Sequence, residues 1–481
     1  MTDIQCPLVQ AARRYKDLPA LITDSHVVSY VEYNSLVASA ASRLRKAGVA
    51  SGERVAIVSP NTFEYPILLM ALFRIGAVAC PVSPRLPIDA VAEYIKKIGC
   101  RSIVNATDHS RTYHIMTLSV ADFVDFTGAG ATQASDSSIS LDQDATIIST
   151  SGSSAQPKAV LHSYCNHYYS AIGSNENIKV QPRDCWLLSL PLYHVGGLAI
   201  LFRAILGGGA VVLPAEGMDI LDAVQRYHIT HLSLVPTQLY RLLKSPSFAY
   251  NTKQLKAVLV GGSAIPKSLI KRAYGSDLPL FTTYGLTEMA SQVTTTPPDD
   301  SLGRLLTSGK LLEHRQVKIS TEGEILVKGD TLFRGYVDEG NISLSLDSEG
   351  WFRTGDLGNI DDAGYLTVLG RKDSMFISGG ENIYPEQIEG ALSLLDGVSD
   401  AIVVPDKDDE FGFRPVAFVR TTDNRRTCKK DLVAGLEQLL PRFKIPIHFY
   451  EWPVTEPGSN VKPARHYFCE LLGTGELREL T

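Results

Sequence analysis

Apolar residues along this chain recur at two spacings that alternate for most of its length. Compact apolar runs at 54–58, 77–82 and 102–104 predict strands, and the stretches between them repeat apolar residues every three or four positions, which predicts helices. Residues 21–50 carry such a helical pattern, with Leu36, Ala40 and Leu44 four apart and Gly48 as a stop signal. Ile67, Leu68, Ala71 and Leu72 mark the next helix and 88–98 a third. From 115 to 143 the chain turns rich in Ser, Thr, Asp, Gly and Ala with little periodicity, which predicts connecting structure. The alternation then resumes, with strands at 186–190, 211–213, 231–235 and 257–260 and helices near 198–206, 219–227, 237–244 and 266–274. Strands alternating with helices build parallel sheets covered on both faces, whose ligands sit beyond the carboxyl ends of the strands.

Past residue 300 the texture changes to short strands at 316–320, 323–328, 350–353 and 365–369, the last after the turn Asp361-Asp362-Ala363-Gly364. Short strands at close spacing predict a small barrel or sheet. A last unit follows: a helix from Pro385 with Ile388, Leu392 and Leu395 on one face, strands at 401–405 and 416–420, a helix near 429–440 and a strand near 448–451. The predicted fold class is α/β. It comprises a large N-terminal domain of two doubly wound α/β subdomains plus a small β-barrel, and a small C-terminal α/β domain. A chain of 481 residues is too long for one core of ordinary size, which agrees with this division.

Composition narrows the function. An apolar fraction of 44% with 20% charged residues is an ordinary globular balance. The net charge of 46 − 52 = −6, with no run of basic residues, argues against nucleic acid or an anionic membrane as partner. Seven cysteines are spread without a CxxC pair or a zinc-like spacing, which predicts reduced thiols in a cytoplasmic protein. Residues 195–213 hold one charge, Arg203, but five glycines interrupt them, so a buried helix, a turn and a strand ending at Pro214 is expected, with no membrane span.

Candidate chemistry begins at Ser149-Thr150-Ser151-Gly152-Ser153-Ser154-Ala155-Gln156-Pro157-Lys158, a loop after the apolar run 145–148. Small and hydroxyl residues with one Lys suit a phosphate cradle of backbone N–H groups, hydroxyls and a point charge. It is not a Walker A loop, since Pro157 precedes Lys158 and Ala159 follows. On composition alone a polar surface loop is the commoner account. Four more stretches recur in order: Gly261-Gly262-Ser263-Ala264 after a strand, Tyr284-Gly285-Leu286-Thr287-Glu288, Thr354-Gly355-Asp356, and Gly370-Arg371-Lys372-Asp373 leading to Ser378-Gly379-Gly380. Together they resemble the AMP-forming acyl- and aryl-CoA synthetases of the adenylating superfamily, and the resemblance covers nearly the whole chain.

That resemblance implies a ligase that uses ATP, Mg²⁺ and CoA on a small-molecule carboxylic acid. It implies that Thr150, Ser151, Gly152, Ser153, Ser154 and Lys158 cradle the β- and γ-phosphates, that Thr287 reaches the α-phosphate, and that Glu288 holds the metal. Gly262, Ser263, Ala264, Tyr284 and Gly285 would form the adenine slot, and Asp356 and Arg371 would bind the ribose, with an ordinary barrel-edge ion pair as the alternative. Lys462, in the loop Pro457-Gly458-Ser459-Asn460-Val461-Lys462, would be the adenylation lysine; alone it reads as a solvated one. The implied division is a domain at 1–370, a hinge at 371–373 centred on Asp373, and a mobile domain at 374–481 that exchanges Lys462 for the CoA-binding Gly379-Gly380 loop. The chain departs from the family pattern at Ala155 and Ala159, where glycine is usual. Alanine does not take positive φ cheaply, so a weaker grip on phosphate is expected.

The acid is read from Arg203, a charge within the apolar helix Ala199-Ile200-Leu201-Phe202-Arg203-Ala204. Such a charge either snorkels to the surface or meets an anion, and a dicarboxylic substrate brings a second carboxylate that a fatty acid lacks. This helix with the stretch Leu188-Ser189-Leu190-Pro191-Leu192-Tyr193-His194-Val195-Gly196-Gly197 before it, the stretch Ser233-Leu234-Val235-Pro236-Thr237-Gln238-Leu239-Tyr240-Arg241-Leu242-Leu243 and the short total length resembles the branch of the family that activates o-succinylbenzoate for menaquinone biosynthesis. His194 is assigned to substrate positioning, with a core histidine packed on Tyr193 as the alternative; Ser291 is a further pocket candidate. Other aryl- or short-acyl-CoA ligases, a module that loads a carrier protein, and a non-catalytic nucleotide-binding relative remain alternatives. The oligomeric state, a homo-oligomer included, is open.

Overall fold

The structure is a computed structural model that describes residues 2–106, 115–119, 123, 137–150, 158–245, 248, 252–421, 427–453, 465–474 and 477–480. Its first sheet has eight strands in the order Asn341–Ser343, Gly335–Asp338, Lys158–Ser163, Asp144–Thr150, Val78–Val82, Arg54–Val58, Ser102–Asn105 and Met116–Ser119. The five strands from Asp144–Thr150 to Met116–Ser119 are parallel, and the other three join antiparallel at one edge. Val78–Val82 is buried at every position, as expected of a strand covered on both faces. Beside it, helix Glu64–Ile75 is buried nearly all round and ends at left-handed Gly76.

The second sheet has nine strands. Its six parallel members are Pro19–Ile22, Ala210–Val212, Cys185–Leu187, His231–Leu234, Ala257–Val260 and Leu280–Leu286, with antiparallel strands added at both edges. One edge corrects the sequence-based expectation. Residues 21–50 are not one helix: Pro19–Ile22 and Val27–Ser29 form a hairpin, and the helix is Tyr30–Lys46. Ser29 and Glu32 close a capping box at its start, and Thr23 Oγ1 accepts from the His26 N–H to make the turn before it. Likewise 115–143 contains the strands Met116–Ser119 and Ser138–Ser140, which sheet pairing and not periodicity defines. Helices Pro7–Tyr15, Tyr164–Asn177 and Arg465–Thr474 were not expected.

The short strands past 300 form a four-stranded antiparallel sheet of Arg315–Ile319, Glu324–Gly329, Phe352–Ile360 and Leu366–Arg371. The C-terminal unit is a three-stranded sheet of Val398–Asp408, Gly412–Thr421 and His448–Glu451. Helices Pro385–Leu392 and Lys429–Glu437 cover it, around Ile388, Val403, Leu432 and Phe449. Leu394 enters the apolar cluster of the second sheet, and Lys244 pairs with Asp396 at 2.8 Å.

The apolar stretch before Pro214 is the expected helix, turn and strand: Val195–Gly207, left-handed Gly208, and Ala210–Val212. Among the described residues no helix is long and apolar enough to cross a membrane. Gly197 lets this helix approach the preceding segment, since a Cβ there would lie 2.2 Å from the Pro191 carbonyl oxygen. Helix propensity alone favours alanine, but that overlap is with backbone and cannot relax cheaply. Gly197→Ala is expected to destabilise by about 2 kcal/mol or more; an unchanged or raised melting temperature would contradict this close approach.

Candidate active site

The phosphate-loop candidate joins two antiparallel strands at the carboxyl end of the first sheet's parallel strands, with Thr150 opposite Lys158. Ser151, Gly152, Ser153 and Ser154 lie outside the described residues, as do Ala155 and Lys462. Ala159 is a correction. It sits buried in regular strand opposite Ser149, a conformation alanine adopts without strain, so the cost expected from losing glycine there does not arise.

Lys158 and Glu288, distant in sequence, meet through one tyrosine. The Lys158 ammonium lies 4.9 Å from the Tyr336 ring centroid, and the Tyr336 hydroxyl donates to Glu288 Oε1 at 2.7 Å. Burial and then the Glu288 charge push the Tyr336 phenol well above its usual range, which keeps it a donor. Glu288 occupies the single 3₁₀ turn Thr287–Met289, after which Ala290 and Ser291 have φ of 51° and 120°. Two non-glycine residues in the left-handed half of the map mark a turn held by its surroundings. The Glu288 carboxylate is a hard oxygen donor that fits Mg²⁺, an ion that takes its other ligands from water and phosphate. Among the described residues no cluster of three His, Cys, Asp or Glu side chains forms a competing cage.

Asp356 and Arg371 face each other across adjacent strands. Asp356 Oδ2 accepts from the Tyr284 hydroxyl at 2.6 Å, and its Oδ1 lies 3.4 Å from Arg371 Nη1, which also donates to the Thr354 carbonyl at 2.8 Å. Asp373 takes the other edge of the guanidinium at 3.1 and 3.3 Å. Burial raises the Asp356 carboxyl above the ordinary range, and the Tyr284 hydroxyl and Arg371 oppose it. Gly262, Ser263 and Ala264 are exposed just past strand Ala257–Val260, which pairs in parallel with the strand carrying Tyr284, so both segments reach the same edge. Gly285 is required by proximity: a Cβ there would lie 2.2 Å from the Ser291 carbonyl oxygen. Gly379 and Gly380, both at positive φ, turn the hairpin between Phe376–Ser378 and Glu381–Ile383; the Gly379 N–H donates to the Phe411 carbonyl, within the C-terminal unit.

Arg203 and Ser291 come together. Arg203 is 1% exposed, its Nη2 donates to Ser291 Oγ at 3.2 Å, and its guanidinium lies 5.3 Å from the Trp186 ring centroid. Among the described residues no carboxylate pairs with it, and its Nε has no partner. Burial and the nearby Arg315 charge pull its pKa down to about 9. Burying a guanidinium without a counter-ion costs free energy. His194, exposed at the start of the same helix, packs edge-on against Tyr193 at 4.7 Å; desolvation and the Arg85 charge lower its pKa.

Several residues here escaped the sequence reading. Tyr336 left no local signal, being one tyrosine in a short strand. Glu324 is buried, accepts from the Gly355 N–H at 3.0 Å and pairs with Arg353, which steadies the turn before Asp356. His162 and His167 are fully buried beside Thr146, and the one available sign was a histidine inside the apolar run after Lys158.

Comparison with known proteins shows the family. Residues 8–337 match the family described as AMP-binding enzyme, and residues 387–458 match the AMP-binding enzyme C-terminal domain. A 2-succinylbenzoate–CoA ligase of Bacillus velezensis is 32% identical over 477 residues, covering 96% of this chain and 97% of the relative. The o-succinylbenzoate CoA synthetase MenE of Bacillus subtilis, solved with the acyl-adenylate intermediate OSB-AMP, superposes with a TM-score of 0.82 at 27% identity and full coverage of both chains. The same enzyme solved with ATP and a magnesium ion gives 0.81 at 28% identity, covering 97% of this chain and 99% of that one.

Two stability effects follow. Arg203→Met fills a similar volume without a buried charge and is expected to raise stability by about 1–4 kcal/mol, read as a higher melting temperature. The second concerns acid. Burial holds His162 near a pKa of about 4 and His167 well below 6.5, so below pH 6.5 the unfolded chain binds protons that the folded chain refuses. Stability therefore falls as pH drops from 6.5 toward 4, by roughly 1.4 kcal/mol per pH unit for each ring. Urea midpoints should fall less steeply across this window in His162→Gln than in the parent; identical slopes would contradict the assignment.

Proposed function

The chain belongs to the AMP-binding enzyme family, and from that premise we propose that it is an acid–thiol ligase that joins o-succinylbenzoate to CoA through an acyl-adenylate. The observation that carries the choice of acid is Arg203: a buried guanidinium with no carboxylate partner among the described residues, beside Ser291 and Trp186. A monocarboxylic acid spends its only carboxylate on the reaction, whereas o-succinylbenzoate retains a second one to neutralise Arg203.

In the first half-reaction a carboxylate oxygen of the acid attacks the α-phosphorus of ATP, and the bond to the pyrophosphate oxygen breaks. In the second, the CoA sulfur attacks the acyl carbonyl carbon, its proton is lost, and AMP leaves. Attack of one anion on another requires charge neutralisation and alignment. Lys158 with the loop from Thr150 would bind the β- and γ-phosphates, the Thr287 hydroxyl the α-phosphate, and Glu288 with phosphate oxygens the Mg²⁺. Bound Mg²⁺ supplies positive charge to the phosphates. Tyr284 offers its ring to adenine and holds Asp356, which with Arg371 would take the ribose hydroxyls. His194 stands at the start of the Arg203 helix, where it would position the acid.

Lys462 would meet the developing charge during adenylation, delivered by a domain of residues 374–481. A hinge at 371–373 would then rotate that domain and bring Gly379-Gly380 to the pantetheine arm. In this structure Asp373 binds Arg371, so rotation about it also alters the ribose clamp. The seven free cysteines fit a cytoplasmic setting.

The test is pyrophosphate release with ATP, Mg²⁺ and a panel of o-succinylbenzoate, benzoate, and short and long fatty acids, each with and without CoA. Turnover of o-succinylbenzoate, raised by CoA, is expected, and Arg203→Met should lower kcat/KM for it by about 10²-fold or more while leaving any monocarboxylate rate within severalfold. Preference for a monocarboxylate would overturn the choice of acid, and release that requires a carrier protein in place of CoA would favour the carrier-loading reading.

A further inference from the structure

Beneath the turn that carries Thr287 and Glu288 lies a buried line of three side chains, each at most 2% exposed: His162, Thr146 and His167. His162 Nε2 is 2.7 Å from the Thr287 carbonyl oxygen, His162 Nδ1 is 3.2 Å from Thr146 Oγ1, and that hydroxyl is 2.8 Å from His167 Nε2. The direction of every proton can be deduced. A carbonyl oxygen only accepts, so His162 Nε2 donates to Thr287. In the neutral ring Nδ1 then accepts, and Thr146 donates to it. The Thr146 oxygen is then left to accept, and His167 Nε2 donates.

The chain of bonds ends on a carbonyl that is otherwise only half satisfied. The Thr287 oxygen also accepts the Ala290 N–H at 2.9 Å, so His162 fills its second lone-pair direction. The strands that supply Thr146 and His162, Asp144–Thr150 and Lys158–Ser163, are the two that flank the phosphate loop. One imidazole therefore ties the base of that loop to the turn that presents Glu288. The turn needs such a tie, because it closes through Ala290 in left-handed conformation.

We propose that His162, oriented by Thr146 and His167, is a positioning residue for adenylation that fixes the Thr287 carbonyl and so the placement of the Thr287 hydroxyl and Glu288 carboxylate against the nucleotide. This rests on the function proposed above. It predicts a selective defect: the half-reaction that uses MgATP depends on His162, and attack of CoA on a supplied acyl-adenylate does not.

The experiment compares His162→Phe, which keeps the ring volume and removes the donor, with His162→Gln, which restores an N–H donor, and Thr146→Val, which frees Nδ1. His162→Phe should lower the rate of acid-dependent ATP–pyrophosphate exchange about 10²-fold and raise the KM for MgATP, as a displacement of about 1 Å at a reacting group does. Thioester formation from supplied adenylate should change by less than about threefold, and His162→Gln should recover most of the loss. In the parent protein ¹⁵N shifts should report both imidazoles as neutral Nε2–H tautomers at pH 7. An equal fall in both half-reactions, no change in either, or no recovery with Gln would overturn the proposal. If His162→Phe does not fold, Thr146→Val and the tautomer measurement decide, and a protonated Nδ1 on His162 refutes it. MgATP affinity by calorimetry makes the same comparison without an acid. A parent enzyme that activates no acid thus counts against the function proposed, and equal MgATP affinity in parent and His162→Phe counts against this inference.

Discussion

The turn from Thr287 to Ser291 is the point on which the site depends, because three sheets anchor their reactive groups to it. It leaves the second sheet at the end of Leu280–Leu286, yet its backbone is held from elsewhere: the Glu288 carbonyl accepts from the Phe333 N–H at 2.8 Å and the Ala290 carbonyl from Ser170 Oγ at 2.8 Å. The Glu288 side chain is held by Tyr336 of the first sheet, and Tyr284, just before the turn, holds Asp356 of the four-stranded sheet. A turn with two non-glycine residues at positive φ does not keep its shape on local preference alone. These long-range bonds supply what the local sequence lacks, and the reactive groups are fixed relative to one another as a result.

The same turn ends in the acid pocket. Ser291 binds Arg203, so the residues proposed to hold metal and phosphate and those proposed to recognise the distal carboxylate are separated by three positions in the chain. Arg203 shows the cost of that recognition. A desolvated guanidinium beside a second buried arginine, Arg315, opposes folding, and its ring contact with Trp186 offsets only part of this. Arg315 differs in kind. It donates to the carbonyls of Gln292, Glu313 and Ser170 at 2.6, 2.6 and 2.9 Å, and so serves as a fastener that joins Tyr164–Asn177 to the strand after Ser291. Two arginines that look alike by burial are told apart by what their N–H groups meet.

Much of this was legible in the chain. Periodicity determined the alternation of strands and helices, because covered parallel strands and amphipathic helices leave distinct spacings of apolar residues. The small-residue motifs marked the strand ends where backbone must approach a ligand, and a charge amid apolar neighbours marked Arg203. Local pattern failed where pairing across the chain decides the state. Leu21 and Ile22 read as part of a helix until Ala210–Val212 offers them a sheet edge, and Ala159 reads as a flaw in a loop until its pairing with Ser149 makes it strand.

The sequence by itself determined which chemistry is present: hydroxyls, a lysine and glycines for phosphate, oxygen donors for a hard metal ion, and one buried cation for an anionic acid. Tertiary structure alone decided which of these meet. Tyr336 bridges Lys158 and Glu288, and His162 reaches Thr287 across 125 positions of sequence. The physical reason is that a hydrogen bond between distant residues imposes no spacing on the residues between them. Periodicity therefore carries no record of it, and only the folded chain brings donor and acceptor within 3 Å.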